Sequence, residues 1–324
     1  MAATIRVREL GGPEQLVLEE TDVPPPAAGE VRLRQTAVGV NFIDVYYRTG
    51  LYPVALPFVP GHEAAGVVVA VGRGVRGFRE GDRVAYLMSA PGAYAAERNV
   101  PARWLVPLPA AVGDTEAAGV LLKGLTAWVL LFRTHRVRRG ETIVVHAAAG
   151  GVGTIMTQWA KYLGARVIAV VGSDAKAEVA RQHGAAHAIV LPRDDLAARV
   201  RELTAGAGVP VVYDSVGRDT FFASLDCLQP LGLMVSFGNA SGPVAPFAPQ
   251  ELARRGSLFL TRPGVFHYLE PRGELARGAK ALFAALAGGA IQVRIGQTCP
   301  LADAAQAHRD LESRRTTGST VLVV

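Results

Sequence analysis

The sequence predicts an α/β protein of two units: a compact, barrel-like unit of short strands, and a doubly wound parallel sheet with helices on both faces. Three observations carry this reading. The first third is dense in strand signals broken by glycine and proline turns. From about residue 115, strand and helix patterns alternate, as they do where parallel strands are joined by crossover helices. The chain also has 324 residues, more than one ordinary domain requires.

In chain order, Thr4–Arg8 and Leu16–Glu20 alternate as strands and are split by Gly11-Gly12-Pro13. Pro24-Pro25-Pro26 and Gly29 precede a strand over Glu30–Val40, and Asn41–Gly50 has helical spacing. Val67–Val71 and Asp82–Leu87 are predicted strands around a glycine-punctuated loop. Thr115–Phe132 is predicted helical. Then come strand Thr142–Ala147, helix Val152–Leu163, strand Arg166–Val171 and helix Asp174–His183. Strand Ala188–Leu191, helix Asp194–Thr204, strand Val211–Tyr213, helix Thr220–Leu228, and strands Leu233–Phe237 and Ser257–Thr261 complete the alternation. The tail reads as helices Arg272–Ala287 and Leu301–Ser313 and a strand Val321–Val324, which is expected to return to the first unit.

Composition removes several function classes. Half the residues are hydrophobic and 19% are charged, which excludes a disordered chain. The net charge of +6 is scattered rather than gathered on one stretch, so nucleic-acid binding is not the expected main role. A modest positive balance suits an anionic cofactor. The two cysteines, Cys227 and Cys299, form no C-x-x-C pair, which fits a reducing compartment. The charged start MAATIRVREL and the lack of an apolar run of about 20 residues lead us to expect a cytoplasmic protein with no membrane segment.

The most informative stretch is TIVVHAAAGGVGTIMTQWAKYLG, Thr142–Gly164. An apolar strand runs into Ala148-Ala149-Gly150-Gly151-Val152-Gly153 and then a helix. Small residues allow a sharp turn and close approach to a pyrophosphate, and the helix N-terminus offers N–H groups to it. The next strand ends Val171-Gly172-Ser173 with no carboxylate at its tip, where NAD-specific sites hold a ribose 2′-hydroxyl. Ser173 and Lys176 are suited to a 2′-phosphate, so NADPH is the expected cofactor. Asp174 reads as the N-cap of the following helix; its alternative role is a ribose ligand favouring NADH.

These residues resemble the medium-chain dehydrogenase/reductase superfamily, in its zinc-free quinone oxidoreductase (zeta-crystallin-like) branch. The resemblance is carried by Asn41-Phe42-Ile43-Asp44, Gly50-Leu51-Tyr52-Pro53, Gly61-His62-Glu63-Ala64-Ala65-Gly66, Gly81-Asp82-Arg83-Val84, Lys123-Gly124-Leu125-Thr126-Ala127, His146 to Gly153, Asp214-Ser215-Val216-Gly217, Ser236-Phe237-Gly238-Asn239 and Glu312-Ser313-Arg314. It implies a GroES-like β-barrel catalytic domain, residues 1–121 and 262–324, with an inserted Rossmann NADPH-binding domain, residues 122–261, commonly as a homodimer. By the same resemblance, Phe42, Asp44, Tyr46, Thr126, Gly150, Gly151, Val152, Gly153, Gly172, Ser173, Lys176, Ser215, Phe237, Gly238, Asn239 and Arg314 line the cofactor. Related quinone reductases often carry a Tyr after the third Rossmann strand; this chain has Pro192, leaving Ser173 and Lys176 as the main expected 2′-phosphate ligands.

No metal is expected. Zinc relatives in the superfamily place a Cys where this chain has Asn41, and an amide is a poor substitute for a thiolate. His62 is read as structural; as a residual metal candidate it would have Asp44 and Glu63 as partners. His183 and His187 are divided by Gly184 and read as a solvated turn. No G-x-S-x-G elbow is present. Asn41, Tyr46 and Tyr52 are the candidates for polar contact with a substrate carbonyl in a cleft between the domains. The expected activity is NADPH-dependent reduction of quinones or related conjugated carbonyls. An enoyl-thioester or alkenal/enone reductase is the alternative on the same scaffold, and a non-catalytic NADPH-binding protein, structural or RNA-binding, the alternative of another class. Ser257–Thr261 is the expected edge for a homodimer.

Overall fold

The computed structural model describes residues 1–313 and 316–324. The chain divides into two compact units: Met1–Lys123 with Leu275–Phe283 and Val293–Val324, and Gly124–Glu274 with Ala284–Gln292.

In the first unit, β1 (Ala2–Arg6) and β2 (Val17–Thr21) form an antiparallel pair, with Ala2 opposite Thr21. A larger sheet is centred on β3 (Glu30–Val40), whose side chains alternate between buried and half-exposed before turning fully inward from Ala37. β3 pairs antiparallel with β4 (Glu63–Val71) on one side, and with β6 (Glu97–Pro101) and then β15 (Ser319–Val323) on the other. The sheet order is β14-β15-β3-β4-β5-β7, where β5 is Arg83–Leu87, β7 is Leu105–Pro107 and β14 is Ile295–Pro300. The short helix α1 (Phe42–Arg48) follows β3 directly. A long apolar helix, α2 (Asp114–Trp128), continues as a π-helical turn over Val129–Thr134 and is largely buried.

The second unit is a six-stranded parallel sheet: β8 (Thr142–His146), β9 (Arg166–Val171), β10 (His187–Val190), β11 (Val209–Asp214), β12 (Leu228–Ser236) and β13 (Phe259–Thr261). Their order is β10-β9-β8-β11-β12-β13, which is 3-2-1-4-5-6 within the unit and places the reversal between β8 and β11. Helices α3 (Gly151–Tyr162), α4 (Asp174–Gln182), α5 (Leu196–Leu203) and α6 (Phe221–Asp226) connect the strands. The core packs Val144, Ile168, Val170, Val212 and Met234 from the strands against Leu196, Val200, Phe221 and Leu225 from the helices. The continuous apolar strands follow from burial on both faces.

Several boundaries differ from the sequence reading. The helix expected over Leu301–Ser313 is a 3₁₀ turn, Leu301–Asp303, followed by a helix, Ala304–Glu312. The segment 262–274, expected with the first domain, belongs to the second unit. Arg262 explains why: its Nη1 donates to the carbonyls of Ser236 and Gly238, both at 3.0 Å. Ala284–Gln292 also joins that unit, where the Gln158 side-chain amide donates to Gln292 O and accepts from Gln292 N. Strands β6, β7 and β14 were not anticipated.

Candidate functional site

The second unit gathers its candidate residues along one edge of the sheet. At the carboxyl end of β8 the chain turns through Ala147–Gly150 into α3, whose N-cap Gly150 supplies no side-chain acceptor to the first-turn N–H groups. Gly153 is required for the geometry: a Cβ there would lie 2.2 Å from the carbonyl oxygen of Ala147 and 2.7 Å from Cα of Ala148. Helix and strand therefore meet backbone to backbone, and the first-turn N–H groups of α3 have no side-chain cap. Beside it, β11 ends at Asp214. The buried Asp214 carboxylate accepts from Val216 N at 2.7 Å and Gly217 N at 3.1 Å, and from the hydroxyls of Thr220 and Ser224 at 2.7 and 2.9 Å. These bonds fix the turn that carries Ser215. Gly238, after β12, approaches that turn so closely that a Cβ would lie 2.3 Å from Ser215 O. Thus Gly150, Gly151, Val152, Gly153, Ser215, Phe237, Gly238 and Asn239 converge at the carboxyl edge around the strand-order reversal, where open α/β sheets take their ligands. Thr126, in the part of α2 after Lys123 that belongs to this unit, is half-buried.

Ser224 also lies 2.9 Å from His146 Nε2. Serine, histidine and aspartate are thus linked, but serine bridges the other two. A nucleophilic triad needs histidine in the middle, and this set is fully buried. It holds the fold.

At the tip of β9, Gly172 is exposed, and a Cβ added there would meet nothing within 4 Å. The cap of α4 corrects the sequence reading. Ser173, not Asp174, is the N-cap, and its Oγ accepts from Lys176 N at 3.3 Å. Both residue types cap well, and Ser173 wins because its extended backbone points the hydroxyl at the N3 amide. Asp174 instead pairs with Arg193, whose Nη1 lies 2.9 and 3.1 Å from its two oxygens. Arg193 was missed in the sequence, since nothing local marks a partner 19 residues away. His183 caps the C-terminus of α4 and His187 opens β10, so the two rings belong to different elements.

The first unit holds a buried polar cluster. Asn41 is the N-cap of α1, and the Asp44 carboxylate reaches back to accept from its backbone N–H at 2.8 Å. The Asn41 side chain donates to Glu63 Oε1 at 2.7 Å. Glu63 also accepts from Leu122 N and faces Lys123 Nζ at 3.8 Å. Gly39 makes room for it, because a Cβ there would lie 2.3 Å from both Glu63 Oε1 and Ala118 O. Burial raises the Glu63 carboxyl and lowers the Lys123 ammonium. Asn41 is buried, with its amide turned to Glu63.

Asp44 is buried, and burial pushes its carboxyl up to about 7 against the pull of the Asn41 and Tyr94 donors. Its Oδ2 accepts from Tyr94 at 3.1 Å, while Oδ1 has no hydrogen-bond partner among the described residues. Beyond this carboxylate, Tyr94 Oη lies 3.0 Å from His308 Nε2, and Arg48 Nη1 lies 3.0 Å from His308 Nδ1. Arginine can only donate, so His308 is protonated at Nε2 and donates to Tyr94, which donates to Asp44. Burial and the Arg48 charge hold His308 down at about 3.

Tyr46, Tyr47 and Tyr52 form an aromatic group, with ring centroids 5.2 Å apart for Tyr46–Tyr52 and 5.7 Å for Tyr47–Tyr52. Tyr47 packs 5.3 Å from His62. Tyr46, Tyr52 and Phe42 are all half-buried. Arg314 lies outside the described residues.

Residues 151–270 match the zinc-binding dehydrogenase family, and residues 27–110 the alcohol dehydrogenase GroES-like domain. Over the full chain, the sequence is 50% identical to a quinone oxidoreductase of Pseudomonas aeruginosa, covering all of both proteins. It is 46% identical to a 2-haloacrylate reductase of a Burkholderia species, covering 100% of this chain and 98% of that one. The fold superposes on a crystal structure of Escherichia coli quinone oxidoreductase complexed with NADPH with a TM-score of 0.98, at 47% identity and with full coverage of both.

The zinc named by the first match does not fit these residues. Among the described residues, no three His, Cys, Asp or Glu side chains are grouped to hold a metal. His62 Nδ1 donates to Met88 O at 2.9 Å, and both oxygens of Glu63 are engaged by protein donors. Burial keeps His62 low, at about 4.

Proposed function

The chain belongs to the medium-chain dehydrogenase/reductase superfamily, in its quinone oxidoreductase branch, and on that premise we propose that it reduces quinones or related conjugated carbonyl compounds with NADPH and without metal. The observation that carries this is the strand–turn–helix at Ala147–Gly153 beside a β9 end where Gly172 and Ser173 bear no carboxylate and the next residue, Asp174, is paired with Arg193. The α3 N-terminus takes the pyrophosphate, and the space beside Gly172 takes the adenosine ribose. When bound, NADPH supplies a hydride equivalent, and a proton from solvent or a side chain completes the hydroquinone. The chain's own task is then orientation and exclusion of water. Tyr46 and Tyr52 are the proposed donors to the acceptor carbonyl, and Asn41 and Asp44 fix the helix that carries Tyr46. Phe42, Thr126, Ser215, Phe237, Gly238, Asn239 and Arg314 are proposed to complete the cofactor lining.

The likeness to a 2-haloacrylate reductase favours a second reading, in which the acceptor is an activated alkene beside a carbonyl. A steady-state screen separates the two. NADPH and NADH are each tested with 1,4-benzoquinones, 2-alkenals, crotonyl-CoA and 2-chloroacrylate, with zinc measured in the same preparation. Quinone turnover with NADPH and substoichiometric zinc supports the proposal. Preference for the alkenes moves the protein to the second reading. Tight NADPH binding with no turnover on any acceptor makes it a non-catalytic binder.

We further propose a cytoplasmic homodimer. The two cysteines are buried and unbonded, which suits a reducing compartment. Edge strand β13 exposes Phe259 and Leu260, apolar residues suited to pairing across a two-fold axis. Sedimentation as a monomer at micromolar concentration would remove the dimer.

A further inference from the structure

We propose that Arg193 is the specificity-determining cation of this chain, which exchanges its resting partner Asp174 for the 2′-phosphate of the adenosine ribose. The inference rests on the NADPH reading above and names a residue for it.

The placement comes from the register of the sheet. β9 and β10 run side by side, with Val190 opposite Val171, and Leu191 N continues the ladder to Val171 O at 2.8 Å. The two strand tips are therefore level. One leads into Gly172-Ser173-Asp174 and the other into Pro192-Arg193. Pro192 offers no donor to a ligand, so the first side-chain donor beyond β10 is Arg193. It reaches back across the tips to Asp174, the first residue of α4.

The donor inventory leaves room for an anion. The Arg193 Nη1 is shared between the two Asp174 oxygens, and Nε donates to Asp194 Oδ1 at 3.1 Å. Nη2 has no acceptor among the described residues, so two of the five guanidinium N–H bonds are uncommitted. Asp194 is itself anchored, because its Oδ2 accepts from Val190 N at 2.8 Å. Arg193 is thus tethered at Nε with its far end open, an arrangement suited to a phosphate.

The electrostatics set the direction of exchange. Asp174 alone at this tip would repel a 2′-phosphate and favour a ribose hydroxyl. Arg193 cancels that charge. Asp174 and Arg193 side chains are 78% and 58% exposed, so their pair is screened and easily reorganised. A phosphate carries nearly twice the charge of a carboxylate and three acceptor oxygens, and so competes well for the guanidinium. With Ser173 and Lys176 adjacent, the tip would offer two cations to a 2′-phosphate. If Arg193 turned away, it would offer Asp174 to NADH.

The experiment measures Kd for NADPH, NADH and 2′,5′-ADP by calorimetry on the full chain, in wild type, Arg193→Ala, Arg193→Lys and Asp174→Ala. Expected for Arg193→Ala is a loss of at least tenfold in affinity for NADPH and for 2′,5′-ADP, NADH within twofold, and an unchanged melting temperature. Arg193→Lys should recover part of the loss, and Asp174→Ala should keep or raise the preference for NADPH. NADPH affinity should also fall less steeply with salt in Arg193→Ala than in wild type. If wild type does not prefer NADPH, the cofactor reading fails. If wild type prefers NADPH but Arg193→Ala keeps that preference, or loses both cofactors equally, Arg193 is not the determinant. A lower preference in Asp174→Ala overturns the exchange.

Discussion

Asn41 and Glu63 are joined by a 2.7 Å hydrogen bond that ties the start of α1 to the first residue of β4. The carboxylate is fully enclosed, so each of its donors counts. Asn41→Ala should cost about 1.5–3 kcal/mol, the range for a hydrogen bond to a charged group. Asn41→Asp should cost more, since two carboxyls then face each other. Urea denaturation checks both. A change below about 0.5 kcal/mol for Asn41→Ala would show that Glu63 is satisfied without it.

Asp44 should give the protein a stability that falls toward alkaline pH. Its carboxyl titrates near 3.8 when unfolded and is pushed up to about 7 by burial in the fold. Between those values the folded chain holds a proton that the unfolded chain has released. Its contribution is complete below about 4 and lost as pH rises through about 7, on the order of 4 kcal/mol for a shift of roughly three units. His62 and His308 act the other way. Burial lowers both to about 4 and about 3, so their contribution is present above 6.5 and lost on acidification. Asp44→Asn keeps an acceptor for Asn41 N and Tyr94 Oη but cannot titrate. Its stability relative to wild type should improve from pH 5 to about pH 7 and then level off in guanidinium titrations. A difference constant over that range would place the Asp44 pKa outside it.

Two glycines should respond in opposite ways. Gly153→Ala must move the Ala147 carbonyl, since the new methyl group would overlap it, so the second unit should lose several degrees in melting temperature. An added Cβ at Gly172 meets nothing within 4 Å, so Gly172→Val should leave the melting temperature within about 1 °C, while weakening NADPH at least tenfold. Thermal melts beside cofactor titrations separate the two. Equal NADPH binding by Gly172→Val would move the ribose elsewhere.

Ser173→Ala should lower stability by about 1 kcal/mol through loss of the α4 cap. Asp174→Ala should cost less, because it removes only an exposed pair. Hydrogen exchange in the first turn of α4 should rise for the first variant and stay near wild type for the second. The reverse order would restore Asp174 as the cap.

The parts legible in the sequence were those whose cause is local. The turn at Gly150–Gly153 could be read because strand, small residues and helix follow one another within a few residues. The parallel alternation could be read because strands buried on both faces are continuously apolar. The cap of α4 is ambiguous in the sequence because Ser173 and Asp174 both suit it, and only the backbone angle at Ser173 decides. The enclosure of Asn41, Asp44 and Glu63 could not be read, because it depends on Lys123 and Tyr94 arriving from distant segments. Arg193 was invisible for the same reason. The strand β14 was missed because it alternates weakly and owes its place to pairing with β15.

That place has a consequence for synthesis. The strand β15 lies between β14 and β3, so residues 319–323 fill a slot beside residues 37–40. Every strand of the parallel sheet emerges from the ribosome before that slot can be filled. The nascent chain must therefore carry an open, unzipped β3 edge while the parallel sheet assembles, and a chaperone or protease that recognises bare strand edges has its widest opportunity during that interval.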